Sequence, residues 1–228
     1  MAKSPLLNTD SLRKQVYEYL KKELNTGNLK PGDTIDQKSL LTILGVSKTP
    51  FRDSLIRLEA EGFVQILPCK GVIVKRLSIE EIRNIYEIAG ALECVAVELV
   101  GPGLTDEDFK KMDELINEAE SMIREKNFSE CPNLNEEFHD IILDSCNNTD
   151  LVRILKNMRA RLYDFPKRGI ETLPQLEAGY WNEHKEFLNL LKTGKIREAG
   201  EYMKRVHWSF EKCEKELHIL YTEADSNS

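Results

Sequence analysis

The sequence contains no apolar run approaching the roughly 20 residues that cross a bilayer, and its opening segment MAKSPLLNTD lacks the apolar stretch of a secretory signal. A cytoplasmic protein without a membrane partner is expected. Cysteine is sparse: Cys69, Cys94, Cys131, Cys146 and Cys213 are scattered, odd in number and without a CxxC pair, so they read as reduced thiols rather than a zinc knuckle or redox motif. Histidine is rarer still, with four, none before residue 139. HExxH is absent, and so is any internal repeat. After Ser78 there is hardly a strand signal.

Acidity dominates the 228 residues, with a net charge of −7, but the average hides an asymmetry. Residues 1–77 hold 13 Lys/Arg against 8 Asp/Glu, leaving 19 against 31 in the remainder. A local positive field over a small domain can attract nucleic acid whatever the total. The length suits two domains, divided here at 1–77 and 78–228.

In the basic third, Leu12, Val16, Leu20 and Leu24 recur at helical spacing and predict a first helix over about 11–25, stopped by NTGNLKPGD. QKSLLTILG predicts a second helix closing at Gly45. Ser47 is placed to cap a third, in which Pro50 is tolerated near the start and Phe51, Leu55 and Leu58 form the apolar face. FVQIL and VIVKR flank the turn PCKG as a hairpin. Three helices and a hairpin, with only a short LGVS link between the second and third helices, are the order of a winged helix-turn-helix.

In that arrangement the third helix presents its leading end to a major groove. Its residues there are Ser47, Lys48, Thr49 and Arg52: the cations can donate to guanine, while the hydroxyls and free helix-start amides suit phosphate. Lys38, Arg57 and the hairpin's Lys70 would extend the contact, and Gly71 lets the backbone approach closely. The competing reading is a merely solvated basic face. The stretch LKPGDTIDQKSLLTILGVSKTPFRDSLIRLEAEGFVQILPCKGVIVKRLS resembles the DNA-binding domain of GntR-type bacterial transcription regulators, with their Gly-Val-Ser-basic-Thr-Pro-x-Arg core. That resemblance implies base and phosphate contacts at Lys38, Ser47, Lys48, Thr49, Arg52 and Gly71.

The acidic remainder reads as a bundle of about six helices, separated at GPGLT, EKN, CNNT, FPKRGIETLP and KTGK, so the fold class is mainly α. Ser78 and Glu81 have capping-box spacing. His139, His184 and His207 each share a face with apolar residues, whereas His218 lies off its helix's apolar stripe. Three inward imidazoles on three helices could hold a divalent metal or could be hydrogen-bonded core histidines. Asn135, one turn before His139, could add a fourth ligand.

Here NEEFHDIILDSCNN, NEHKEFLNLLKTGKIREA and AGEYMKRVHWSF resemble the FCD ligand-sensing domain of the FadR branch of GntR regulators. The resemblance implies a metal, Zn²⁺, Ni²⁺ or Mn²⁺, held by Asn135, His139, His184 and His207, with Asn standing where relatives often carry Asp. It also implies a small-molecule effector, for which a carboxylate fits. Ala89 stands where the family often places the effector-binding arginine, so Arg159, Arg161 or the metal itself is the candidate replacement, with Tyr86, Asn148 and Tyr180 as further pocket candidates. The reading is a dimeric, ligand-responsive repressor on a palindromic operator, and no enzyme. The alternative is a metal-dependent hydrolase with an appended basic domain.

Overall fold

The computed structural model describes residues 9–162, 174–215 and 217–218. The break expected at FPKRGIETLP lies outside the described residues except for Pro174, as does the tail TEADSNS. The chain divides into two compact units, Met1–Leu77 and Ser78–Ser228.

The first unit contains α1 (Thr9–Asn25), α2 (Gln37–Leu44), α3 (Lys48–Ala60), β1 (Val64–Leu67) and β2 (Gly71–Val74). It is a winged helix-turn-helix. Val16, Leu20 and Leu24 of α1 are buried together with Phe51, Leu55 and Leu58 of α3, each such side chain stabilising the unit by about 1.5–3 kcal/mol. The Ser54 hydroxyl, buried with them, donates to the carbonyl of Pro50 one turn back, at 2.9 Å. Asp36 caps α2 by accepting from the amides of Lys38 and Ser39, and Gly45 ends it at φ 61°. That left-handed residue turns the chain within three residues from α2 into α3.

The two strands pair antiparallel, with Val64 opposite Val74 and Leu67 opposite Gly71. The loop is therefore Pro68, Cys69 and Lys70, and Gly71 opens β2 rather than belonging to the turn as PCKG suggested. Its φ of 98° explains the glycine. Thr34 adds a bridge to Ile73, widening the wing's base.

The second unit holds, among the described residues, α4 (Ile79–Val100), α5 (Asp106–Arg124), α6 (Cys131–Asp144), α7 (Thr149–Arg161), α8 (Pro174–Lys192) and α9 (Ile196–Tyr202). Capping boxes start α4, at Ser78 and Glu81, and α5, at Thr105 and Asp108. One core unites Ala89, Ala96 and Val97 of α4 with Phe138 and Ile142 of α6 and with Trp181, Phe187 and Leu188 of α8.

With no break after KTGK, a final helix is expected to run on through REAGEYMKRVHWSFEKCEKEL. Instead α9 gives way to a π turn over Met203–His207, closed by the Trp208 amide on the Met203 carbonyl at 2.9 Å, and then a short 3₁₀ turn over Phe210–Lys212. Inserting one residue in the turn rotates the chain after Met203, so that His207 meets α8 and Trp208 meets α4. No helix among the described residues is long and apolar enough to cross a membrane.

Candidate functional site

In the first unit, the leading turn of α3 carries no acidic residue and Ser47 makes no side-chain capping bond. The orphan amides and positive dipole of that end thus face solvent beside a cation, Lys48, an arrangement that favours an incoming anion. Ser47, Lys48, Thr49 and Arg52 are all exposed, and Lys48 and Arg52, four residues apart, share one face. Lys38 on α2 and Lys70 on the hairpin loop are exposed as well.

Arg57, expected to extend the contact, is exposed on α3 and also reaches α1. Its guanidinium stacks 3.8 Å from the centre of the Tyr17 ring and pairs with Glu61 at 2.9 Å, while the Tyr17 hydroxyl donates to the same carboxylate. The side chain thereby joins α1 to the end of α3.

In the second unit, α6, α8 and the π turn bring His139, His184 and His207 together. Their exposures are 1%, 0% and 6%, and one ligand atom from each lies within 4.8 Å of the others. Ring centres are 4.6–5.1 Å apart. Two carboxylates stand behind them. Glu93 Oε1 lies 2.5 Å from His139 Nδ1, and Glu183 Oε2 lies 3.1 Å from His207 Nδ1. Trp208 Nε1 donates to the second Glu93 oxygen at 2.5 Å.

Burial drives the His139 imidazole down to about 4 against the opposing pull of Glu93, and burial, then His207 and His139, holds His184 well below its ordinary value. Burial would raise Glu93, but the charge and hydrogen bond of His139 reverse this and bring it to about 2. At neutral pH the pair is a carboxylate and a neutral imidazole. His184 Nε2 faces His139 Nε2 at 3.3 Å, and His184 Nδ1 is buried with no partner. Three imidazoles whose ligand nitrogens cluster within 4.8 Å, one of them with an orphaned ring nitrogen, fit a divalent transition ion.

Asn135 is half-buried on α6, one turn before His139. Arg159 is nearly buried, bonding Asp140 at 3.2 Å and the Glu136 carbonyl at 3.3 Å, and its charge still reaches Glu93, His139 and His184. Arg161 keeps a buried Nε with no partner. Tyr86 is buried edge-on to Trp208 at 5.2 Å, and Tyr180 stands 5.8 Å from the His207 ring. Asn148 is exposed and accepts from the Leu151 amide at 3.1 Å, capping α7. That bond engages its side-chain oxygen at a helix end. His218 is exposed.

Glu93, Glu183 and Trp208 were missed by sequence reasoning. Only Glu93 left a signal: it falls on the apolar stripe of α4 between Ala89 and Val97, where a charge is out of place.

Residues 12–74 match the gntR family of bacterial regulatory proteins, and residues 84–207, more than half of the chain, match the FCD domain. The chain belongs to the GntR family. It is a helix-turn-helix transcription regulator with an FCD ligand-binding domain, and not an enzyme, so the hydrolase alternative falls. It is similar to the HTH-type transcriptional regulator YdhC of Bacillus subtilis (strain 168), at 28% identity over 207 residues, 90% of this chain and 91% of the relative. The HTH-type transcriptional repressor RspR of Escherichia coli (strain K12) is 24% identical over 134 residues, 59% of each chain. The solved structure of E. coli McbR/YncC shares the fold with a TM-score of 0.74 at 24% identity, covering 94% of this chain and 99% of that one. Members of this family bind DNA and, through the FCD domain, small-molecule effectors; FCD domains often hold metals.

Proposed function

We propose that this regulator is a cytoplasmic, effector-responsive repressor that binds a palindromic operator as a homodimer. The carrying observation is the leading turn of α3, exposed, free of acid and uncapped, with Lys48 and Arg52 on one face. In this reading Arg52 donates to a base edge in the major groove, Lys48 to a base or phosphate, and Ser47, Thr49 and the helix-start amides to phosphate. Lys38, Lys70 and Gly71 extend the contact along the backbone. One small winged unit makes few base contacts. Two at a fixed spacing, joined through their helical domains, bind both half-sites far more tightly than either alone. The repressor sense is supported by the resemblance to RspR, itself a repressor.

The second unit is the sensor. His139, His184 and His207 hold Zn²⁺, Ni²⁺ or Mn²⁺, with Asn135, one turn before His139 on α6, as the neutral fourth ligand. The ion supplies a Lewis-acidic point that an anionic effector can meet. Arg159, whose charge already reaches the trio, and Arg161, with its orphaned Nε, are the cations for a carboxylate, and Tyr86 and Tyr180 line its approach. The effector changes operator affinity only by its differential affinity for the two arrangements of the dimer. Titration of DNA flanking the protein's own gene, with light scattering for mass, tests this. Saturable binding of a dimer to one palindromic site is expected; sequence-indifferent binding by a monomer would sink it.

A further inference from the structure

We propose that Glu93 supplies the negative charge that Asn135 cannot, acting as the positioning residue that holds His139 in the Nδ1–H tautomer behind the three-histidine cluster. This rests on reading that cluster as a metal site. The argument begins with hydrogen-bond accounting. An indole N–H can only donate, so the Glu93 oxygen 2.5 Å from Trp208 Nε1 is an acceptor. The other oxygen, 2.5 Å from His139 Nδ1, shares a proton with the more basic imidazole, so the proton sits on nitrogen. Consequently His139 Nε2 carries a lone pair, and that nitrogen is the one facing His184 at 3.3 Å. The carboxylate thus decides which ring nitrogen points at the centre of the cluster.

Charge accounting leads to the same residue. Glu93 is 1% exposed, and its two hydrogen-bond partners are a ring nitrogen of His139 and the indole N–H of Trp208. Arg159, the cation whose field reaches it, directs its hydrogen bonds to Asp140 at 3.2 Å and to the Glu136 carbonyl at 3.3 Å. Glu183, the other carboxylate behind the trio, is different: it is more exposed, and the Lys212 ammonium sits on its second oxygen. Among the described residues no Lys or Arg bonds to Glu93, and a buried carboxylate is costly in an apolar interior unless a cation is supplied close by. An ion held by three neutral imidazoles and a neutral Asn135 keeps its full double charge. A carboxylate one ring behind it offsets part of that charge and raises the basicity of its ligand.

The test uses the full-length protein and Zn²⁺ alone. Zinc affinity is measured by competition with a chromophoric chelator for the unaltered protein, Glu93→Gln, Asn135→Asp and the double variant. The His139 tautomer is read from long-range nitrogen–proton NMR of the metal-free protein. In Glu93→Gln the amide oxygen is claimed by Trp208, which turns the amide NH₂ towards Nδ1 and forces the His139 proton onto Nε2. A loss of about 10–100-fold in zinc affinity is expected, with the tautomer reversed. Asn135→Asp should recover most of the loss by restoring a direct anion.

Unchanged affinity and tautomer in Glu93→Gln would overturn the inference while leaving the metal site standing. An unaltered protein that takes up no Zn²⁺, Ni²⁺ or Mn²⁺ would overturn the metal reading and this inference with it. Should Glu93→Gln not fold, the native spectrum decides alone: a His139 proton on Nε2 excludes the role assigned to Glu93.

Discussion

Gly90 on α4 faces Trp208 with no space for a side chain: a Cβ at Gly90 would stand 2.9 Å from the Trp208 Cβ and 3.3 Å from the Lys204 backbone. The π turn and α4 are in near-backbone contact there. Glu93, three residues on and on the same helix face, thereby reaches both Trp208 and His139.

Gly90→Ala should consequently destabilise the protein, by about 1–3 kcal/mol, because neither a Cβ nor a backbone can yield as a flexible side-chain tip does. Urea unfolding measures it. Gly179→Ala is the internal control: nothing lies within 4 Å of a Cβ at that position in α8, so the substitution should stabilise by about 0.5–1 kcal/mol. Equal effects at the two glycines would contradict the packing argument.

On DNA, Arg52 and Arg57 should separate. Arg52→Ala is expected to cost about 1–3 kcal/mol and to relax preference at one or two base pairs, read by gel shift against mutated operators. Arg57→Ala should leave sequence preference intact and lower thermal stability, because its guanidinium is engaged with Tyr17 and Glu61. A uniform loss on every sequence for Arg52→Ala would make it a phosphate contact.

Metal should stabilise the fold through the trio. A free ion at a hundredfold above its dissociation constant adds about 2.7 kcal/mol, visible as a rise in melting temperature that a chelator reverses. His184→Ala, which removes a wholly buried ligand, should abolish that rise. Retention of the full rise would move the ion elsewhere.

Acid should unfold the metal-free protein in two overlapping stages. Below pH 6.5 the unfolded chain protonates His139, but the folded site refuses the proton until about 4, so stability falls as pH drops through that window. Glu93 follows, with stability lost from its ordinary 4.5 down towards about 2. The combined loss is on the order of a few kcal/mol. Melting curves recorded across this range in chelator give the slope; a flat profile would show that His139 is not buried as a neutral ring.

Much of the fold was legible because its signals are local. The repeat of Leu20, Leu24, Leu55 and Leu58, the glycine at residue 45 and the Ser78 capping box each act within one or two helical turns, so spacing alone reports them. The inward faces of His139, His184 and His207 were likewise legible from their apolar neighbours. The π turn was not, because its cause lies in the close approach of α4 at Gly90, more than a hundred residues earlier in the chain.

The amino-acid order by itself determined the winged unit, the helical bundle, the exposed basic lead of α3 and the burial of three histidines, since propensity, capping and amphipathic period are properties of neighbouring residues. Tertiary structure alone decided that Glu93 and Glu183 stand behind the imidazoles and that the Arg57 guanidinium stacks on Tyr17. Those outcomes depend on which side chains from distant segments come within hydrogen-bond reach. Such reach is set by packing angles and close backbone contacts, which no local period encodes.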